Sequence, residues 1–381
     1  NNSDKVSPLL KKAELLNENS SKLWQLKGIL AKQNSAPQQA LVFFKKANEL
    51  KPNDLVTYRG LANSYFELQQ LQQANIFLDK ILAISPNDPQ TQLMKSSLLH
   101  SLNEDSAANK ILTELTNQLS SINEAYLHSQ PQLLLIDGLT SYRQSHWQQA
   151  RQKFQAYLET NAADIDTTIL LADVYIKLNE DDKALILLEK NERKLLKSKD
   201  NALILVGLYF QFNKHFKADY LLSELRKLYK NDESILIASA KLFSETGQVS
   251  KALTLMEGKK NANSAAFHHA LALLYFQTEQ LENSLTRIQL AIASSSENVA
   301  FQLLHSQILL RLNKFNEAQQ IIIDLYEKHP ENNDVLASYA LLQASTGKTI
   351  SAQKVFKHLV TVAPDNGSYW LQLARFENDL G

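Results

Sequence analysis

Apolar and polar residues alternate along this chain with the spacing of amphipathic helices. Residues 55–88 give the clearest example. The apolar face of a first helix is formed by Tyr58, Leu61, Ala62 and Tyr65. The apolar face of a second helix is formed by Leu71, Ala74 and Leu78. Both sets follow the i, i+3, i+4 rule, and a polar interval too short for a third element separates them. The pattern predicts two antiparallel helices joined by a tight turn.

Small residues repeat this hairpin along the chain. They recur mostly 34 residues apart, with single intervals of 42 and 32, as Ala40, Ala74, Ala108, Ala150, Ala184, Ala218, Ala252, Ser284, Ala318 and Ala352. Twelve residues before most of them stands a second small residue: Gly28, Ala62, Ser96, Gly138, Ala172, Ala240, Ala272, Ser306 or Ala340. Before Ala218 we assign this role to Gly207, eleven residues upstream. Because two helices approach closely only where side chains are small, each pair predicts a helix crossing.

Proline ends several of the second helices. Pro52, Pro86, Pro330 and Pro364 stand at the same phase of the repeat, each followed within two residues by Asn or Asp. Proline cannot continue a helix, and an Asn or Asp side chain caps the next one. The chain is therefore punctuated at the end of these hairpins.

The period and the small-residue pattern resemble the tetratricopeptide repeat, a helix-turn-helix unit of 34 residues. Residues 55–88 match that family's pattern most fully, and residues 299–332 nearly as well. The resemblance extends over essentially the whole chain. It implies an all-α tetratricopeptide α-solenoid, a right-handed superhelix of antiparallel hairpins in which the first helix of each unit, helix A, lines a concave groove.

The repeat also predicts the organisation of the chain. Residues 1–19 hold the second helix, helix B, of a preceding incomplete repeat, and residues 21–122 hold repeats one to three. Residues 123–130 form a polar insertion, and residues 131–366 hold repeats four to ten. Residues 367–381 begin an eleventh repeat, with Gly381 where the turn to its helix B would start. Neither end carries an obvious polar cap, so we expect a longer native protein.

Composition supports helix and excludes several function classes. Nine glycines and eight prolines among 381 residues are far below the roughly 12% of an average protein, which disfavours collagen-like, all-β and dinucleotide-binding folds. Forty Lys plus Arg balance forty Asp plus Glu, so no net charge attracts nucleic acid or an anionic membrane. The absence of cysteine excludes thiolate chemistry and disulfides. No apolar stretch is long enough for direct membrane insertion.

Catalytic and metal-binding patterns are not found. His268 and His269 are adjacent, so their side chains diverge by about 100° on a helix, and Gly258, Lys259 and Lys260 lack the context of a phosphate loop. No acid, base and nucleophile form a set. We therefore expect no enzyme, no cofactor and no metal.

The resemblance places a protein or peptide partner in the groove. The helix A positions expected to face that groove are Arg59, Asn63, Phe66, Leu135, Leu139, Tyr142, Ile169, Asp173, Ile176, Leu203, Phe210, His269, Leu273, Phe276, Leu303, Gln307 and Leu310. From about residue 131 they are mostly apolar, which suits an amphipathic helix or an extended peptide. The alternative is that many of them pack against the adjoining hairpin. The carboxylate clamp of chaperone-binding members is not predicted, because Met94, Gln132 and Ile136 replace its polar residues.

These observations favour a non-catalytic interaction scaffold. Residues 132–159 and 306–359 resemble the tetratricopeptide lipoprotein of exosortase (PEP-CTERM) sorting systems and related exopolysaccharide scaffolds. That resemblance implies a periplasmic location, with anchoring to the outer membrane through an N-terminal segment that the sequence lacks. Two alternatives remain open. The repeats could be the recognition arm of a larger enzyme, such as a glycosyltransferase or peptidase, or a cytoplasmic regulatory adaptor.

Overall fold

The computed structural model describes residues 2–259 and 262–380, and these residues form 24 helices and no strand. Asn1, Lys260, Asn261 and Gly381 lie outside the described residues, as do the expectations placed on Lys260 and Gly381. The helices are α1 (Asn2–Leu16), α2 (Ser21–Gln33), α3 (Pro37–Leu50), α4 (Leu55–Glu67), α5 (Leu71–Ile84), α6 (Pro89–Ser101), α7 (Asp105–Ser120), α8 (Glu124–Ser129), α9 (Pro131–Arg143), α10 (Trp147–Thr160), α11 (Ile165–Lys177), α12 (Asp181–Glu189), α13 (Glu192–Leu195), α14 (Lys199–Gln211), α15 (His215–Leu228), α16 (Glu233–Glu245), α17 (Val249–Glu257), α18 (Ala265–Gln277), α19 (Leu281–Ser294), α20 (Val299–Arg311), α21 (Phe315–Lys328), α22 (Asn333–Ser345), α23 (Thr349–Val362) and α24 (Gly367–Leu380).

The chain divides into two compact units, Asn1–Asn191 and Glu192–Gly381. Five hairpins form the first unit: α2/α3, α4/α5, α6/α7, α9/α10 and α11/α12. Five more form the second: α14/α15, α16/α17, α18/α19, α20/α21 and α22/α23. The sequence suggested one continuous array. The division follows α12, a helix B shortened to nine residues, so the hairpin at this point has less B-helix surface than its neighbours.

Small residues meet where the two helices of a hairpin cross, as predicted. The predicted small residues of the B helices, from Ala40 to Ala352, are all buried, and so are their partners on the A helices from Gly28 to Ala340. At one crossing the contact is direct, because the Ser284 hydroxyl donates to the carbonyl of Ala272 at 2.7 Å. Gly207 is the exception and its assignment was wrong: it is exposed, and Val206, only 1% exposed, takes the crossing position opposite Ala218.

A left-handed residue closes every turn from helix A to helix B. These residues are Ser35, Gln69, Asn103, Ser145, Asn179, Asn213, Gly247, Glu279, Asn313 and Gly347. The next amide then donates back across the turn, as from Gln70 to the Tyr65 carbonyl and from Lys348 to the Gln343 carbonyl, both at 2.9 Å. This hydrogen bond satisfies a terminal carbonyl of helix A and fixes the reversal of the chain.

Side-chain caps begin most A helices. Asp54, Asp88 and Asn332, each following a proline, accept hydrogen bonds from amides in the first turn of α4, α6 and α22. Asp164 and Asp232 do the same for α11 and α16. The predicted capping by Asn and Asp is confirmed at these helices, and it satisfies amides that have no partner within the helix.

The segment 123–130 contains α8 rather than a plain polar insertion. Asn123 caps this short helix, and Leu127 is only 2% exposed, because it packs with Leu134 and Tyr157. The polar residues that suggested an insertion lie around one apolar anchor. The fold class is all-α, and each unit is built of repeated antiparallel hairpins, as the sequence predicts.

Candidate functional site

Several predicted groove residues of the first unit bond to neighbouring hairpins. The Arg59 guanidinium lies 3.0 Å from the Asp88 carboxylate, and the Tyr142 hydroxyl donates to Asp173 at 2.6 Å. Both contacts join one A helix to the start or the middle of the next. Asn63 and Phe66 are half-buried beside Arg59. Arg59, Tyr142 and Asp173 therefore stabilise the stacking of the hairpins, which is the alternative role considered for them.

Tyr142 is held in its protonated form by these surroundings. Burial raises its pKa to about 12, and the hydrogen bond to Asp173 acts in the same direction. Its ring also meets Trp147 edge-on, with 5.4 Å between the ring centroids. The side chain is thus fixed on two sides. Leu135, Leu139 and Ile169, also predicted for the groove, are half-buried in the same unit.

The second unit contains two neighbouring cavities on its A helices. The first, which we call the apolar pocket, has a volume of about 400 Å³. Its lining comes from α16, α18 and α20: Ile237, Ala240, Lys241, Ser244, Glu245, Ala266, His269, Ala270, Leu273, Leu274, Gln277 and Phe301. Most of these side chains are aliphatic or aromatic. Lys241 and Glu245 pair with each other at 3.8 Å, so the pocket carries little net charge.

The second cavity, which we call the mixed pocket, has a volume of about 390 Å³. Residues of α18, α20, α22 and α24 line it together with Asn366: His269, Leu273, Ala300, Leu303, Leu304, Gln307, Asp334, Ala337, Ser338, Leu341, Ser368, Tyr369 and Gln372. His269 and Leu273 belong to both pockets. The two cavities are therefore adjacent, and one ligand could occupy both.

His269 is an uncharged divider between the pockets. Its ring lies against that of Phe301, with 4.8 Å between the ring centroids. Burial lowers its pKa below the ordinary value for histidine. The imidazole is therefore neutral at neutral pH and contributes an aromatic ring rather than a charge.

The mixed pocket combines acidic, amide and hydroxyl groups with aliphatic side chains. The Tyr369 hydroxyl donates to the Asp334 carboxylate at 3.1 Å. Burial raises the pKa of Tyr369, and this hydrogen bond raises it further, so the phenol remains a donor. The Gln372 Oε1 atom is buried and has no hydrogen-bond partner. Acceptor atoms therefore outnumber cations in this lining.

Only some of the predicted residues meet at these pockets. His269, Leu273, Leu303 and Gln307 line one or both. Phe210 and Phe276 lie outside both linings, below Lys241 at 4.9 Å and Arg311 at 5.9 Å. The prediction missed Ile237, Lys241, Ala337 and Leu341. The repeat could have found the last two, which stand 34 residues after Leu303 and Gln307.

Neither pocket contains an arrangement typical of catalysis. Lys241 pairs with Glu245, Asp334 accepts from Tyr369, and the His269 ring lies against Phe301. Within residues 2–259 and 262–380, no group of three or more His, Asp or Glu could hold a metal ion. No helix in those same ranges has both the length and the apolar character needed to span a bilayer.

Comparison with known proteins recognises the repeat in one part of the chain. Among solved structures, the crystal structure of yeast Tom70 is similar, with a TM-score of 0.46 and 15% sequence identity over 94% of this chain and 95% of that one. No curated protein matches the sequence. The family model of the tetratricopeptide repeat matches residues 31–98. The tetratricopeptide repeat is thus recognised in the segment from the end of α2 to α6.

Proposed function

We propose that the chain is a non-catalytic scaffold that binds a protein or peptide partner on the A helices of its second unit. The observation that carries the proposal is the adjacency of the apolar and mixed pockets, which share His269 and Leu273. Leu341, in the mixed pocket, is 51% exposed. Exposed aliphatic side chains around a cavity, with a few polar groups among them, are typical of a surface that buries side chains of a partner.

Site-specific photo-cross-linking tests this proposal. A photoreactive phenylalanine analogue at Gln307, in the mixed pocket, is expected to form a discrete adduct in cells that express the full-length protein. The same analogue at Ile350 is the matched control, because Ile350 lies on α23 outside both pockets and is 85% exposed. Leu341→Ser should remove the adduct from Gln307. Equal adducts from both positions, or an adduct insensitive to Leu341→Ser, would exclude these pockets as the binding site.

We further propose that this scaffold acts in the bacterial cell envelope, within an exopolysaccharide or exosortase sorting system. The support is the resemblance of residues 132–159 and 306–359 to the repeats of such envelope proteins. Fractionation of cells that produce the full-length protein tests the location. Recovery in the periplasm or outer membrane is expected, whereas recovery in the cytosol alone would favour a regulatory adaptor, and a fused catalytic domain would favour a recognition arm.

A further inference from the structure

The two pockets of the second unit differ in the charge that they can accept. In the apolar pocket, Lys241 and Glu245 neutralise each other at 3.8 Å. In the mixed pocket, Asp334 is the charged residue of the lining, because His269 is kept neutral by burial. The mixed pocket therefore has a net negative charge, and its lining supplies no cation.

The uncharged polar groups of the mixed pocket increase this asymmetry. The buried Oε1 atom of Gln372 has no hydrogen-bond partner, which leaves an unsatisfied acceptor among the residues of the lining. The Ser338 hydroxyl, which donates to the Asp334 carbonyl, and the Asn366 Oδ1 atom, which accepts from the Ser368 amide, each have a further lone pair to accept with. An ammonium or guanidinium group carries several donors and no acceptor. Such a group matches the acceptor atoms and the negative charge of the mixed pocket.

The aliphatic side chains of the mixed pocket indicate what the ligand contains besides its cationic group. Leu303, Leu304 and Leu341 supply aliphatic surface to the mixed pocket, and the stem of a Lys or Arg side chain packs well on such a surface. Beyond His269, the apolar pocket has room for an aliphatic or aromatic side chain. Neighbouring packed helices lie about 8–10 Å apart, a distance that about three residues of extended chain span.

We propose that the partner contributes a short segment in which an apolar side chain enters the apolar pocket and a Lys or Arg about three residues away binds beside Asp334. This inference rests on the proposed binding function of the pockets and specifies the chemistry of their ligand. Acidic segments are disfavoured, because they would bring a second negative charge to Asp334 in a wall without a cation.

Three labelled peptides of twelve residues test the proposal. All three contain the same number of leucines, and their variable positions carry Lys in the first peptide, Gln in the second and Glu in the third. Fluorescence anisotropy with the full chain at low salt should give affinities in the order Lys, Gln, Glu, with at least tenfold between the first and the last. Asp334→Asn should weaken the Lys peptide about threefold to tenfold and leave the Gln peptide unchanged. Glu327→Gln, on α21 outside the lining, makes the same change of charge and is the matched control.

The possible results separate this inference from the proposed function. All three peptides could bind equally well, with Leu341→Ser weakening each of them. That result would support the pockets as the binding site and overturn the preference for a cationic ligand. Glu327→Gln could reduce the preference for the Lys peptide as much as Asp334→Asn does. The preference would then reflect the overall charge of the protein, and the inference would be overturned. If no peptide binds, the inference fails, and the cross-linking at Gln307 decides the proposed function independently. The melting temperature of each variant verifies that the fold is retained.

Discussion

The ring of Phe154 packs directly on the backbone of Gly138, so closely that a Cβ atom added to Gly138 would lie 2.6 Å from two of the ring carbons. Gly138 is on α9 and Phe154 on α10, and both are buried. The helices of this hairpin can approach to their observed separation only because Gly138 has no side chain. The crossing therefore sets a strict steric limit at one position.

Gly138→Ala is expected to destabilise the protein by about 1–3 kcal/mol, because the added methyl must displace Phe154 in a packed interior. Gly207→Ala is the matched control, since Gly207 lies within α14 and no atom is close enough to meet an added Cβ. There the change should stabilise the helix by about 0.5–1 kcal/mol. Urea unfolding followed by circular dichroism measures both. A wild-type midpoint for Gly138→Ala would contradict the steric argument.

The hydrogen bond from Tyr142 to Asp173 predicts a loss of stability at high pH. Because the folded pKa is raised to about 12, against about 10 in an unfolded chain, the bond stabilises the fold fully below pH 10. This contribution is lost as the pH rises through 12. Tyr142→Phe should therefore be less stable than wild type by about 1–2 kcal/mol at pH 8, and the difference should shrink above pH 10.

Urea midpoints at a series of pH values, with the absorbance of tyrosinate followed in parallel, test this expectation. Tyr126→Phe is the control, because Tyr126 is exposed on α8, and it should retain the stability of the wild type at pH 8. A difference between wild type and Tyr142→Phe that is constant up to pH 12 would show that the phenol does not titrate as described.

The cap of α16 predicts the opposite dependence, in acid. Burial raises the pKa of Asp232, but hydrogen bonds from Lys199, Ser234 and the Ile235 amide outweigh this, so the net pKa is lowered. A lowered carboxyl pKa stabilises the fold above the unfolded value of about 3.9, and the contribution is lost as the pH falls through the folded value.

Asp232→Asn keeps a capping side chain, as Asn332 does at the start of α22, but removes the charge that faces Lys199. We expect a loss of no more than about 1 kcal/mol at pH 7, because both side chains are partly exposed. The difference should shrink as the pH falls below the unfolded value of about 3.9. Unfolding midpoints from pH 7 to pH 2 measure it, and a difference that stays constant over this range would attribute the effect to packing rather than to charge.

The eighth residue of each helix A lies where the two helices of a hairpin cross. It offers a reciprocal pair of substitutions. Ala172 occupies it on α11, whereas Val206 occupies it on α14, and both are buried. Ala172→Val should destabilise by about 1–3 kcal/mol through overpacking. Val206→Ala should destabilise by about 2 kcal/mol by opening a cavity. Thermal or urea unfolding tests the pair, and a stabilised Val206→Ala would mean that the α14/α15 crossing is as close as the others.

The same pair shows what the sequence can and cannot predict. A small residue every 34 positions was enough to predict the hairpins, because a close helix crossing restricts residue size. At α14 the prediction followed residue size rather than spacing. Val206 stands twelve residues before Ala218, at the position of the rule, whereas Gly207 is small but faces solvent. The structure shows Val206 buried and Gly207 exposed.

The pockets were only partly predictable for a related reason. The resemblance to the tetratricopeptide repeat implies which side of each A helix faces a groove, and it brought His269 and Gln307 into the candidate set. A cavity, however, depends on side chains from several helices and loops at once. Asp334 and Gln372, which give the mixed pocket its polarity, stand at repeat positions other than those considered, and their proximity follows from the stacking of α18, α20, α22 and α24.

The left-handed residues of the A-to-B turns affect the stability of the fold but lie outside its proposed binding surface. Eight of the ten A-to-B turns carry a side chain at this position, and four of these residues, Ser35, Gln69, Ser145 and Glu279, are neither glycine nor asparagine. Such residues hold the backbone in a conformation that is unfavourable by about 1–2 kcal/mol, and none of the ten lines either pocket. Glycine could replace these residues one at a time and increase the stability of the fold. Mutations in the pockets that lower the stability could then be tolerated. The binding surface could therefore change its partner without a net loss of stability.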